Sequence, residues 1–301
     1  MIKRTLLFSN PYYLSTRNEQ LVISNRDKKS ETSQPIEDLG YLVLDHPQIT
    51  VSYTAMQKLA ANNVAVIYCN EKHLPASMLL SLDAHYTQNE RFRIQLEASE
   101  PLKKQLWKQT VEAKIGNQAK VLQKFGGGEQ PLLRFAREVK SGDPTNREGQ
   151  AARHYWKKVF APLIGPFKRE RFGPPPNNLL NYGYALLRAA TARALAGTGL
   201  LCTLGIHHHN RYNAFALADD IMEPYRPFVD ELVMRMLTNG LPNEDLSTED
   251  KASLLRIFAI DTKMPGQFSP LMIALNKTAS SLVQCFEGTK RKIIYPEILA
   301  H

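Results

Sequence analysis

Long apolar runs are missing from this sequence. No window approaches the ~18 to 20 continuous apolar residues that a membrane-spanning helix needs. The Met-Ile-Lys-Arg start, followed by a short apolar run, has neither the length nor the cleavage pattern of a signal peptide. A cytoplasmic protein with no membrane partner is the expectation. Cysteine is scarce as well: Cys69, Cys202 and Cys285 lie far apart with no CxxC pair. That argues against a disulfide framework or a zinc ribbon and leaves three small hydrophobes for the interior. No internal repeat or low-complexity tract interrupts the chain.

What is present describes a folded, basic protein. Hydrophobic residues make up 43% of the 301 positions and charged residues 22%, a globular composition. The length gives room for two ordinary domains or one large one. The net charge of +9 is unevenly spread. Residues 1–90 hold 8 basic and 9 acidic side chains, whereas residues 91–301 hold 30 and 20. A basic part joined to a neutral one points to a polyanion as partner of the second part.

Local patterns divide the chain at the same place. Short β-prone runs at Thr5–Phe8, Tyr12–Leu14 and Leu21–Ile23 are separated by turn residues Asn10-Pro11 and Arg17-Asn18. Residues 25–36 read as a flexible turn or hairpin tip. Further strands are expected at Tyr41–Leu44, Ile49–Tyr53 and Val64–Tyr68, with a short helix at Thr54–Ala61 stopped by Asn62-Asn63. After Pro75 the texture becomes helical: Pro101–Phe125, Pro131–Lys140, Asn146 to about Phe160, Leu179–Ala196, segments near Phe215 and after Pro227, and Asp250–Phe286. The proline-rich and basic stretch 161–178 reads as a loop. The predicted class is α+β, with a β-rich, two-layered domain over residues 1–80 and an all-helical domain over residues 81–301.

Two segments carry chemistry. In the helix opening at Asn146, positions 148, 152, 155 and 159 share one face. Ala152, Tyr155 and Val159 make that face apolar, so Glu148 points among core residues and needs a cationic partner. The plainer alternative is a helix-start glutamate held by the dipole and facing solvent. The second segment holds His207-His208-His209, followed within twenty residues by Asp219, Asp220 and Glu223. Asp220 and Glu223 share a helical face. An imidazole with carboxylates suits Mg²⁺ or Mn²⁺ better than structural zinc. A histidine-rich loop plus an acidic helix end paired with Arg226 is the competing account. A mixed site of this kind in a basic domain points to phosphodiester chemistry on nucleic acid. Lys168, Arg169 and Arg171 are candidates to hold the DNA backbone.

The run Leu204-Gly-Ile-x-His208, continued by Tyr212-Asn-x-Phe-x-Leu-Ala-x-Asp-x-Met-Glu-Pro-x-Arg-Pro-x-Val-Asp230, resembles the CRISPR-associated spacer-acquisition integrases (the Cas-one family) in their type II form. Arg147-Glu-Gly-Gln-Ala-Ala152 and Leu179-Leu-Asn-Tyr-Gly-Tyr-Ala-Leu-Leu187 match two further family segments in the same chain order. The resemblance spans the whole chain. It implies a homodimer with a β-sandwich-like N-terminal domain and a helical catalytic domain, two such dimers flanking a dimer of the small partner Cas-two. It implies Glu148, His208 and Glu223 as ligands of Mg²⁺ or Mn²⁺, with Asp220 a second acid beside the metal. The implied reaction is transesterification: the 3′-hydroxyl of a short double-stranded DNA fragment attacks a phosphodiester at the leader end of a CRISPR repeat. Cas-nine and other type II adaptation proteins are further implied partners. Two other functions compete: a stand-alone metal-dependent nuclease acting on branched DNA or RNA, and a DNA-binding scaffold whose acidic cluster is only structural.

Overall fold

Two four-stranded sheets make up the first of two units, Met1–Ala84; the second unit is His85–His301. The structure, a computed structural model, describes residues 3–25, 30–79, 85–238 and 240–299. In the first unit the elements are β1 (Arg4–Phe8), β2 (Tyr12–Arg17), β3 (Gln20–Asn25), β4 (Ser30–Pro35), β5 (Leu39–Leu44), β6 (Thr50–Val51), α1 (Tyr53–Ala61), β7 (Ala65–Cys69) and β8 (Pro75–Leu79). One sheet has the order β1-β5-β7-β8 and the other β4-β3-β2-β6. Leu14 and Leu21 from the second sheet share one buried cluster with Phe8, Leu42, Leu44 and Val66 from the first and Leu59 from α1. This cluster is what joins the two layers. Strand β5, flanked by parallel β1 and β7, is buried along its whole length, which is why Leu-Gly-Tyr-Leu-Val-Leu lacks polar alternation.

The β2–β3 hairpin closes through Asn18 and Glu19, both with left-handed backbone (φ 49° and 58°), the pairing that suits the twist of the flanking strands. Asn10-Pro11 instead passes the chain between sheets, since β1 pairs with β5 and not with β2. Residues 30–35, expected in a turn, are strand β4: Ser-Glu-Thr-Ser-Gln-Pro is polar because it is an exposed edge hydrogen-bonded only to β3. The expected strand Ile49–Tyr53 shrinks to two residues, because Ser52 accepts the Ala55 N–H and starts α1. Pro75–Leu79 is an edge strand, so helix begins later than the sequence suggests. The expected domain boundary at 80/81, and residues 26–29 of the expected hairpin tip, lie outside the described residues.

The second unit holds α2 (Gln88–Glu97), α3 (Glu100–Phe125), α4 (Gln130–Glu138), α5 (Arg147–Lys158), α6 (Ala161–Ile164), α7 (Asn177–Gly197), α8 (Ala216–Met222), α9 (Arg226–Leu237), α10 (Thr248–Leu255), β9 (Asp261–Met264), β10 (Gln267–Pro270) and α11 (Leu271–Phe286). Ser99 caps α3, Pro101 lies in its first turn, and Gly126 at φ 133° ends it. The long α3 is a central post against which α4, α5 and α9 pack. The helical reading of Asp250–Phe286 is broken by the β9–β10 hairpin, turned at Pro265-Gly266 with Gly266 at φ 75°. The helical unit therefore carries one small antiparallel ribbon.

Helix α7 approaches α9 closely at Gly183. A Cβ there would stand 2.5 Å from Val229 Cγ1. Two effects oppose each other in Gly183→Ala: helix propensity favours alanine by about 1 kcal/mol, and overpacking costs about 1–3 kcal/mol. With so short an approach the second wins. Gly183→Ala should lower thermal stability, and adding Val229→Ala should restore part of the loss. An alanine variant as stable as the parent would refute this account of the contact.

Candidate metal centre

The start of α5 is fixed by two caps. Asn146, left-handed at φ 50°, accepts the Gly149 N–H at 2.9 Å, and the Asp143 carboxylate accepts the N–H groups of Arg147 and Glu148 at 2.8 and 2.9 Å. Glu148 thereby sits in the first turn, directed toward α3. Ala151 and Tyr155 are its fully buried companions, so the inward face runs through 151 rather than the expected 152. Glu223 follows α8 in a 3-10 turn, Glu223–Tyr225, that absorbs Pro224 without ending the helical course of the chain. Pro227 lies in the first turn of α9, where a missing N–H costs nothing.

Between the two glutamates stands a lysine that the sequence reading passed over. Lys114, in the middle of α3, places Nζ 2.5 Å from Glu148 Oε1 and 2.5 Å from Glu223 Oε2. Arg226 Nε lies 2.8 Å from the other oxygen, Glu223 Oε1. Burial pulls the Lys114 pKa down, but the carboxylates of Glu223 and Glu148 outweigh it and hold it above the ordinary lysine value. Burial pushes the Glu223 pKa up, and Arg226 and Lys114 more than reverse that, leaving it below the ordinary range. The Lys114–Glu223 contact is ionic without hydrogen-bond alignment: Glu223 Oε2 is buried and accepts no hydrogen bond. A signal was available, since Trp107, Val111, Lys114 and Gln118 follow one face of α3 and the last two interrupt its apolar stripe.

Asn117, one turn beyond Lys114, ties the Glu223 turn in place. Its amide donates to Pro224 O at 2.8 Å and Pro296 O at 3.0 Å, and its oxygen accepts the Ile298 N–H at 3.0 Å.

His208 is held by Asp220, which is fully buried. Asp220 Oδ1 accepts the Nδ1 proton of His208, and Oδ2 accepts the His207 N–H at 2.9 Å. The hydrogen bond His208 donates to Asp220 keeps its pKa above the ordinary value against the pull of burial. With Nδ1 committed, Nε2 is the ring nitrogen left to bind a ligand. Asp220 is therefore an orienting group. His207 stacks flat on Trp107, centroids 4.1 Å apart, and His208 stands edge-on to the same indole. Gly205 admits this packing, since a Cβ there would collide with the His208 carbonyl and the Asp220 carboxylate. Asp219 is spent elsewhere, in a two-point ion pair with Arg188 (2.6 and 2.9 Å) and a bond from Asn213. A cavity of about 560 Å³ opens on the His208 side, lined in part by Lys103, His209, Arg211 and Tyr212.

The structure thus brings Lys114, Glu148, Glu223 and Arg226 into one cluster. Among the described residues, no three of His, Cys, Asp or Glu stand close enough together to hold a metal ion as the side chains lie. Of the basic loop, Lys168 is exposed and pairs with Glu170, and the Arg171 guanidinium lies over the exposed Phe172 ring. Arg169 turns inward: it donates to Glu170 O, Asn177 and Asn181 and lies over the Tyr184 ring, as Arg226 also does.

The family model described as CRISPR associated protein Cas1 matches residues 5–261. The CRISPR-associated endonuclease Cas1 of Neisseria meningitidis serogroup C (strain 8013) is 33% identical over 306 residues, 99% of this chain and 97% of that protein. This chain belongs to the Cas1 family. Solved structures agree in fold. A casposase bound to an integration product has a TM-score of 0.79 at 19% identity, covering 97% of this chain and 92% of its own. A Cas1 protein from Thermotoga maritima has a TM-score of 0.74 at 15% identity, with 95% and 97% covered. A Cas6-RT-Cas1–Cas2 complex matches at 0.74 and 21% identity, covering 99% of this chain and 36% of that longer one. Among the described residues of this Cas1 family member, no helix is long and apolar enough to cross a membrane.

Behind the cluster, buried Asp230 accepts hydrogen bonds from Tyr155 (2.9 Å) and Tyr184. Burial pushes its carboxyl up to about 6, against the pull of those phenols and of Arg169 and Arg226. The folded value lies above the ordinary 3.8, so folding favours the protonated acid. The stabilising contribution is complete below about pH 4 and is lost as pH rises through 6. Asp230→Asn removes this titration, and wild-type stability relative to the variant should fall by on the order of 2–3 kcal/mol between pH 4 and 7. Denaturation at several pH values tests it; a pH-independent difference would show that Asp230 does not titrate there.

Proposed function

We propose that this chain is the integrase of CRISPR adaptation, joining short double-stranded DNA fragments to a CRISPR repeat by metal-dependent transesterification, with Glu148, His208 and Glu223 as metal ligands. The observation that carries the reading is the convergence of Glu148 and Glu223 on one cation, with His208 aimed by Asp220. Family membership and the endonuclease relative support phosphodiester chemistry. The casposase neighbour, seen with an integration product, supports joining over plain hydrolysis. The type II assignment rests on the His208–Glu223 interval.

The donor set fits the ion. Two carboxylates and one imidazole suit Mg²⁺ or Mn²⁺, and Glu223 Oε2 is a buried acceptor without a hydrogen bond. When bound, the ion supplies Lewis-acid stabilisation of phosphodiester oxygens and lowers the pKa of an attacking hydroxyl. Asp220 fixes the His208 ring through Nδ1, Arg226 fixes Glu223 through Oε1, and Asn117 fixes the turn beneath it. In the reaction, the 3′-oxygen of the fragment forms a new P–O bond as the repeat strand's own P–O bond breaks. The proton lost by the attacking hydroxyl is regained by the leaving one, so no energy source is consumed. The basic second unit, Lys168 and Arg171 included, holds the DNA backbone through phosphate charge.

The proposed assembly is a homodimer, two of which flank a dimer of Cas2. The Cas1–Cas2 complexes among the fold neighbours support it. Cas-nine and other type II adaptation proteins are proposed as further partners, and the cytoplasm, where the array lies, as the place of action.

A labelled duplex fragment, a supercoiled plasmid carrying the repeat, Cas2 and Mn²⁺ provide the test. Wild-type protein should transfer label covalently to the plasmid. Glu148→Ala and His208→Ala should abolish transfer while DNA binding persists in gel shifts. Asp220→Asn should lower the rate by about 10- to 100-fold. Nicking without transfer would favour the stand-alone nuclease, and undiminished transfer by Glu148→Ala would sink the ligand assignment.

A further inference from the structure

The cluster on α3 is electrically closed. Lys114 and Arg226 carry two positive charges, Glu148 and Glu223 two negative ones, and each carboxylate of the pair faces the same ammonium at 2.5 Å. Lys114 is 8% exposed and Glu223 is 6% exposed, so that pair lies away from bulk water, while the Glu148 side chain, 31% exposed, reaches the surface. A divalent ion added to the same carboxylates leaves an excess of two positive charges in a buried place, which is costly unless an anion arrives or a cation leaves. The two cations differ in freedom. Arg226 is pinned by Glu223 on one side and the Tyr184 ring on the other. Lys114 is a point charge on a flexible stem whose recorded charge partners are the two glutamates themselves.

We propose that Lys114 is a built-in counter-cation: it competes with the divalent ion for Glu148 and Glu223 and, once displaced, pairs with a DNA phosphate. This rests on the reading of Glu148 and Glu223 as metal ligands. The consequence is positive coupling. DNA supplies the negative charge that the displaced ammonium needs, so DNA tightens metal binding, and by thermodynamic reciprocity metal tightens DNA binding by the same factor. Without DNA the carboxylates favour the lysine, which lowers metal occupancy and with it cutting at random.

The test is Mn²⁺ affinity of the full chain, measured by the loss of the free-Mn²⁺ magnetic resonance signal, with and without a duplex oligonucleotide at fixed ionic strength. Wild type should bind Mn²⁺ on the order of tenfold tighter when DNA is present. Lys114→Met should bind on the order of tenfold tighter than wild type in the absence of DNA, with little further gain on adding it. Removing the ammonium leaves two carboxylates facing each other, so Lys114→Arg serves as a second variant. Its guanidinium can hold both carboxylates, and it should bind Mn²⁺ more weakly than wild type without DNA. Methionine binding no tighter than wild type, arginine binding no weaker, or coupling undiminished in the methionine variant overturns the proposal. Glu148→Gln separates the two readings: if it leaves wild-type Mn²⁺ affinity unchanged, the ligand assignment fails and the counter-cation role falls with it. If it weakens binding while Lys114→Met changes nothing, only the role of Lys114 is lost.

Discussion

A charge taken out of water must be answered by another. That constraint organises the second unit around the middle of α3. Two glutamates from segments 75 residues apart meet only because a lysine between them makes the meeting favourable, and an arginine from the next helix answers the remaining oxygen. Breaking one member of such a group costs far more than the group contributes to stability. The cluster therefore specifies where α5, the Glu223 turn and α9 sit against α3. What reads as a functional site also constrains how the helices fit together within the apolar packing.

The same economy appears one layer out. Asp220 is consumed by His208 and the His207 amide, Asp219 by Arg188, and Asp230 by two phenols. Each acid near the site has a distinct set of partners, and among the described residues Glu148 and Glu223 are the two that share Lys114. Arg169 and Arg226 both lie over the Tyr184 ring, which links the basic loop to the arginine paired with Glu223. The loop is thus anchored at Arg169 while Lys168 and Arg171 stay outward.

Much of this was legible in the residues. Helical spacing offers an inward face for Glu148 beside a solvent-facing alternative, and the side chain pairs with Lys114 while staying 31% exposed. Capping by Asn146 follows from its position. The choice of His208 and Glu223 needed the resemblance, because spacing alone could not separate three adjacent histidines or three nearby acids. Lys114 is not legible as a site residue because a lysine is no metal ligand and, mid-helix, reads as surface. Strand β4 escaped because an exposed edge has no apolar alternation to betray it. The β9–β10 hairpin was hidden by helical texture on both sides, although Pro265-Gly266 marked its turn. The burial of Lys114 depends on partners 34 and 109 residues away, which local periodicity does not report. Strands β4 and β9–β10 instead pair with their chain neighbours and lack only an apolar alternation to mark them.

Asn117 joins three strangers through one amide: the turn bearing Glu223, the carbonyl of Pro296 and the N–H of Ile298. The last stretch of described chain is thereby stitched to the floor of the Lys114–Glu223 cluster. Loosening that tail and loosening the Glu223 turn are then one local unfolding event rather than two. Order at the C-terminal segment and order at the site rise and fall together.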